Sequence, residues 1–411
     1  ANPKWTGYKD KKQFVDDYPF VNYQYELLQK VFDSIRENGM SEGKSISSGE
    51  RSLLSAFKDS AEAKCQQEVG LLIPFNDFYK TAEEFMDWNI KQVFSNAKKR
   101  MVDPFDIDVL EVLFMLKGVK EMEPTIERLA TLMVTSIDDD KIDLKSKIKA
   151  SLDRLIRETF VQQNGDRYEF LTNEEQDVNR KIKNSQYSQG DVYNKIREII
   201  YDSIVGYGKS YPYKGRYTFG LNRYIDDNLA GSDNPDSISV KIYTPWDGKE
   251  QSYEQRSQQV DGCLVIDLSN GSYLEELIQL SKIQTFDRNN ASTASPTLQD
   301  ILQKKRAEAT EREQRAQKNL FDCQANATFY QNGSVLDIQT KDPKKRFDEA
   351  MEKAILNKYH KLDYVVNFAN KAEDVAIALR DQQMSLGNLL DTDANGKAIK
   401  DILQYISDEK K

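Results

Sequence analysis

One histidine and three cysteines limit what chemistry this chain can do. His360 stands alone, and Cys65, Cys263 and Cys323 lie far apart. A lone His and three distant cysteines argue against a His-based triad, a His-ligated zinc site, a two-His metal centre and a cysteine zinc cluster, unless a partner supplies residues. Odd, scattered cysteines fit a reducing compartment, hence the cytoplasm, rather than a disulfide framework. What remains is carboxylate, lysine and arginine chemistry. Gly208-Lys209-Ser210 ends like a phosphate-binding loop, but the full pattern needs a Gly where Ser203 stands. Pro212 and Gly215 follow where a helix would have to open. An aromatic, Gly-rich loop is expected there. The segment from Cys263 to Asp267 resembles a strand ending in a metal-holding carboxylate, and a buried strand is the expectation. Asp391, Asp393, Asn395 and Gly396 match the first half of a calcium loop. Ile402 occupies the position of its bidentate Glu, so a turn is expected instead. Asp226-Asp227 and the run Asp138 to Asp140 could do acid–base work. Nothing in the sequence selects one pair, so no catalytic residue and no metal ligand is assigned.

The strongest candidate is a basic helix. Residues 141–157 hold Lys141, Lys145, Lys147, Lys149, Arg154 and Arg157 against only Asp143 and Asp153, in a chain whose net charge is −9. Two helices precede it. Asp106 opens one through Val109, Leu110, Leu113, Phe114 and Leu116, and Thr125 caps the next. After it, Asn164-Gly165 separates two short alternating runs, the strongest local hairpin signal. Three helices and a two-stranded wing are the order of a winged helix, whose third helix enters the DNA major groove while the wing touches the adjacent backbone. Lys145, Lys147, Lys149, Arg154 and Arg157, with Arg167 at the wing tip, are therefore the candidate DNA contacts, through phosphates. The ordinary alternative is a solvated outer face. Winged helices also dock proteins.

The elements around this helix follow from periodicity. The chain has 411 residues, 58 Lys plus Arg and 67 Asp plus Glu, with 39% hydrophobic and 30% charged residues. That composition supports two to four domains with real cores. No run approaches 18 consecutive apolar residues, so no membrane span is predicted, and the polar start carries no signal peptide. The first residue is not Met, and a piece of a longer protein is expected. Leu27, Leu28, Val31, Phe32 and Ile35 recur at helical spacing. Gly39 and Gly43 break that helix, and Ser47 or Ser48 caps a second. Asn76 is expected to cap a third, with Phe78, Phe85, Trp88 and Val93 on its apolar side. Thr172 to Glu175 is a capping box. Beyond 186 the pattern becomes strand-like at 217–219, 237–243 and 263–268. A helix follows at 273–286, then one long Gly- and Pro-free helix over 297–326, then a hairpin at Asn332-Gly333. The fold class expected is α+β, mainly helical.

Three strings carry a family resemblance. Tyr18 to Arg36 (YPFVNYQYELLQKVFDSIR), Ser48 to Phe57 (SGERSLLSAF) and Phe170 to Ile182 (FLTNEEQDVNRKI) resemble the large P-loop ATPases of bacterial BREX phage-defence systems, of the BrxC and PglY type. The likeness covers about 14–185 and continues more weakly through Arg223 to Asn228 and the long helix. It implies an AAA+-like ATPase whose phosphate loop lies upstream. Residues 1–100 would be its helical lid and 101–185 a winged helix. Residues 186–411 would be a mixed α/β region whose long helix near 297–326 serves assembly. Gly49-Glu50-Arg51-Ser52 looks similar to the sensor motif of replication initiators, which makes Arg51 the nucleotide-sensing candidate. Arg51 stands one residue nearer the Gly than in those initiators. ATP and Mg are implied for the parent protein, and none for this chain, which is expected to have no activity of its own. Other BREX proteins, double-stranded DNA and further copies of the ATPase are the implied partners. The function this implies is DNA or partner binding and complex assembly within an antiphage system. A docking scaffold without nucleotide or DNA chemistry is the rival reading. A third is an enzyme built on Asp226, Asp227 and Asp267.

Overall fold

The computed structural model describes residues 8–37, 40, 49–215, 217–248, 251–359 and 362. His360, the calcium-like run at 391–396, the Ser47 and Ser48 caps and the glycines at 39 and 43 lie outside the described residues. Helices α1 (Lys11–Asp17), α2 (Tyr23–Glu37) and α3 (Gly49–Lys64) come first. On α2, Leu27, Leu28, Val31, Phe32 and Ile35 are all buried, as their spacing predicts. The third expected helix is instead three pieces. A 3₁₀ turn at Phe75–Phe78 leads into α4 (Tyr79–Glu84), and α5 (Trp88–Arg100) starts anew. Asp87 accepts a hydrogen bond from Asn89 N and caps α5. Trp88 is thereby placed in a first turn and is 62% exposed, not on the apolar face.

Helix α6 (Pro104–Leu116) opens with Asp103 accepting from Phe105 N and Pro104 in its first turn. Residues 112–116 are buried without exception, so α6 runs through the middle of the core. Thr125 caps α7 (Ile126–Leu132) and Asp140 caps α8 (Lys141–Arg157). Strands β1 (Val161–Asn164) and β2 (Arg167–Phe170) then pair antiparallel, with Asn164 opposite Arg167 and Gly165 at φ +68°. Phe170 of β2 lies 5.6 Å from Phe94 of α5 and 5.3 Å from Phe114 of α6, ring centre to ring centre. Such aromatic pairs lock the hairpin to the helices. Both bonds of the predicted capping box form at Thr172 and Glu175, at the start of α9 (Asn173–Asn184). One hydrophobic core runs from Leu27 of α2 to Phe170 of β2.

Helix α10 (Gln189–Arg197) passes directly into a π-helical stretch at Glu198–Ile204. Then come β3 (Ser210–Tyr213), β4 (Tyr217–Ile225), β5 (Asn228–Leu229), β6 (Ile238–Tyr243), α11 (Tyr253–Gln258) and β7 (Leu264–Asp267). Next are α12 (Tyr273–Asn290), α13 (Pro296–Asn326), β8 (Thr328–Gln331), β9 (Ser334–Val335) and α14 (Pro343–Lys358). The strands pair in the order β3-β4-β6-β7-β8-β9, with β5 a spur on β4. Strands β4, β6 and β7 are parallel; β3, β8 and β9 join antiparallel. The expected loop at Gly208–Ser210 therefore differs in part, because Ser210 starts a strand. Strand β4 also runs on to Ile225, well past the three residues its sequence suggested. The β8–β9 hairpin turns at Asn332 and Gly333, both at positive φ, the conformation a type I′ turn demands.

The chain forms two compact units. The first holds residues 1–186 and 282–309; the second holds 187–281 and 310–411. The architecture is α+β and mainly helical.

Candidate functional site

In the first unit, the six cations proposed for DNA contact have very different surroundings. Arg154 donates from Nε to Asp106 Oδ2 (2.8 Å) and from Nη2 to Asp106 Oδ1 (2.6 Å) and Asp103 Oδ2 (3.0 Å). Asp106 has no exposed side-chain surface. A carboxylate so buried requires a partner with fork geometry, and Arg154 supplies it. Lys145 forms an ion pair with Glu127 of α7. Arg167 lies 3.2 Å from Glu123. Lys147 stands over the Phe105 ring, 4.1 Å from its centre. Lys149 and Arg157 are exposed and form no ion pair among the described residues. Arg157 also lines a surface cleft of about 330 Å³ with Arg100, Asp103, Asp106 and Glu158. Separation in sequence hid these partners: Asp106 precedes Arg154 by 48 residues.

A second charge cluster sits beneath the hairpin and was not anticipated. Lys117 Nζ donates to Glu175 (2.7 Å), to Phe170 O (2.7 Å) and to Glu169 (3.3 Å). Lys304 of α13 approaches the other Glu175 oxygen at 3.1 Å. Burial alone would raise the Glu175 carboxyl, but the two lysines and the Thr172 backbone N–H bring it down to about 2. Lys305 donates to Gln162 Oε1 (2.7 Å) and to Glu308 (2.8 Å). On α6, burial pushes the Glu111 carboxyl up to about 8, and Asp108 adds like-charge repulsion. Arg51 lies exposed in the first turn of α3.

In the second unit, the carboxyl ends of β4, β6 and β7 are where an open α/β sheet offers a ligand position. Asp226 and Asp227 follow β4 at φ +45° and +64°, a left-handed pair without glycine. Asp226 accepts from Thr244 N (2.7 Å) and from Thr244 Oγ1, which ties the end of β4 to the end of β6. Burial raises its carboxyl and the Thr244 bonds oppose that rise. Asp227 accepts from Lys241 Nζ (2.7 Å) and Tyr243 OH (3.1 Å). Asp267 accepts from Ser269 N (2.9 Å) and borders a cavity of about 320 Å³ with Asn270, Ser272, Asn319, Asp322 and Cys323. Asp226 and Asp227 do not line that cavity. Among the described residues, no group of three His, Cys, Asp or Glu side chains could hold a metal ion. No pattern in the sequence marks the nearby Asp247–Arg256 pair (2.8 Å). Its guanidinium lies 4.4 Å from the Tyr243 ring centre.

The Gly208–Ser210 run does not fit a triphosphate. Ser210 begins β3 and Leu221 N donates to Lys209 O (2.8 Å), so this backbone is committed to the sheet. No described helix is long and apolar enough to cross a membrane.

Fold and site together define a mainly helical α+β protein. Its second unit carries a mixed sheet with six strands on one hydrogen-bonded path. Residues 185–354 match the family described as BREX ATP-binding protein BrxC 4th domain with six-stranded beta sheet. All six strands, from Ser210 to Val335, fall inside that segment. Over that segment the chain is similar to the BrxC proteins of BREX systems, and the match supports the resemblance carried by the three strings upstream of it. No solved structure matches the chain.

Proposed function

We propose that α6, α7, α8 and the β1–β2 hairpin act as a winged helix. In this reading it rests double-stranded DNA against the exposed turns of α8, within a multiprotein BREX assembly. The observation that supports it is the state of the α8 cations. Lys149 and Arg157 remain exposed without carboxylate partners among the described residues, while Arg154 and Lys145 are held by Asp106 and Glu127. Lys149 and Arg157, with Lys147 beside them, are then the phosphate contacts. Arg154, Lys145 and Arg167 position the helix and the wing.

The test is binding to a fluorescent duplex across a salt series, comparing the wild type with Lys149→Glu/Arg157→Glu. The logarithmic salt slope is expected to fall by roughly 0.9 for each lost phosphate contact. Absence of binding at low salt would sink the reading and favour protein docking. Docking has its own support in the exposed Ile137, in the loop before α8, and Ile142, in its first turn.

Arg51 belongs to the same proposal as a nucleotide-sensing residue acting on a phosphate held elsewhere in the parent ATPase. Arg51→Ala in the whole protein should lower ATP hydrolysis and leave the melting of this segment unchanged. An unaltered rate would remove that role.

A further inference from the structure

Strand β4 places one charge on the apolar face of its sheet. Alternation puts Leu221, Arg223 and Ile225 on one side, and their β6 partners are Ile238, Val240 and Ile242. Those five neighbours of Arg223 are all buried. Arg223 is half-buried, with its guanidinium 5.2 Å from the centre of the Tyr201 ring. Among the described residues it forms no ion pair and no side-chain hydrogen bond. Tyr201 sits in the π-helical stretch with no exposed surface, and its hydroxyl has no partner. Four residues earlier, Arg197 donates from Nη1 to Asn194 Oδ1 (2.8 Å) and from Nη2 to Asn228 O (2.8 Å). Its Nε is buried and unpartnered. Burial and the neighbouring Arg223 charge both act against the Arg197 cation.

The Arg223 guanidinium, Arg197 Nε and the Tyr201 hydroxyl are thus donors without an acceptor among the described residues. Buried donors left unmade, and like charges left uncompensated, are costly. A small anion with several oxygens would answer both costs at once. A carboxylate brings one charge; a phosphate brings up to two, with acceptors in several directions, and so matches two arginine forks. The arrangement also gives the strained Asp226–Asp227 turn a purpose. That turn leads directly to Asn228, whose carbonyl holds Arg197.

We propose that Arg223, Arg197 Nε and the Tyr201 hydroxyl form a binding site for one phosphate group, as inorganic phosphate or the phosphate of a small phosphomonoester. The test is isothermal titration calorimetry of the full chain with sodium phosphate and, separately, with glycerol phosphate. Sodium chloride and acetate at matched ionic strength are the controls. Wild type should bind at least one of the two phosphates and neither control. Binding of both would mean that the group alone is recognised, and binding of the ester alone would assign an organic phosphate. Arg223→Gln should weaken binding by roughly tenfold or more, through loss of charge-assisted bonds. Tyr201→Phe keeps the ring and should weaken it by about threefold or more. Should Arg223→Gln fail to fold, Tyr201→Phe decides. The proposal is overturned if wild type takes neither phosphate, or if both folded variants bind as wild type does.

Discussion

The second unit pairs Arg256 with Asp247 and Lys241 with Asp227, much as the first unit pairs its own cations, but it also holds two arginines with no carboxylate among the described residues. In the first, buried charges meet partners of opposite sign: Asp106 meets Arg154, Lys117 meets Glu175, and Lys305 meets Glu308. In the second, Arg223 stands over the Tyr201 ring and its charge acts against the Arg197 cation, and neither arginine has a carboxylate partner among the described residues. Paired charges of the first kind are architecture, because removing either partner strands the other in a poor solvent. Unpaired donors of the second kind raise the energy of the empty protein, which an incoming anion relieves. Charge count along the sequence cannot separate the two cases, since both are simply basic residues.

The largest test of this contrast is Arg154→Ala. It would leave the fully buried Asp106 without its fork and is expected to destabilise the first unit by about 3–5 kcal/mol, measured by denaturant unfolding. A cost below about 1 kcal/mol would return Arg154 to the class of free surface cations. Next is Glu175→Gln, which removes the nearer of the two carboxylates on Lys117 and should cost about 2–4 kcal/mol at pH 7. Its folded carboxyl lies at about 2, below the ordinary 4.5. Its contribution is therefore complete above about pH 4.5 and lost as pH falls toward 2. Wild type should lose stability across that acid range, and the variant should show a flatter profile.

Glu111 has the opposite sign within the same unit. Its folded carboxyl lies at about 8, above the ordinary 4.5, so the folded state holds a proton that the unfolded chain releases. Stability then falls as pH rises between those values. Glu111→Gln should raise the unfolding free energy at pH 8.5 by about 1–3 kcal/mol once the water reaching this group is allowed for, and change it little at pH 4, as measured by denaturant unfolding. An equal shift at both pH values would mean that packing, not ionisation, governs the site.

What the sequence disclosed divides along physical lines. Local signals were legible: the Thr172–Glu175 capping box, the β1–β2 hairpin (which turns at Gly165 and Asp166, one residue past the expected Asn-Gly pair, with Asn164 still in β1) and the Asn332-Gly333 turn each depend on residues within a few positions. The long helix near 297–326 was also plain, because nothing in it breaks a helix. Trp88 was misplaced because the Asp87 cap restarts the helix, which periodicity across a break cannot register. Most of β4 was missed for a telling reason. Gly220, a residue that weakens strands, follows Phe219, and Arg223 then occupies an inward position on the same face as Leu221 and Ile225. The π-helical stretch has no composition of its own. The ion pairs that decide which cations are available join α8 to α6 and α7, and only the fold brings them together.

The smallest expected change in stability belongs to Lys149→Glu and Arg157→Glu. Both residues are exposed, and neither has a carboxylate partner to lose among the described residues. Each substitution should alter unfolding by no more than about 0.5 kcal/mol. That near-silence is what makes them informative. Arg154→Ala would weaken DNA binding by unfolding the surface that presents α8, whereas these two would weaken it with the fold intact and with a shallower salt dependence. If instead they destabilise the first unit as Arg154→Ala does, the division between architectural and available cations on α8 fails. The DNA reading built on that division would fail with it.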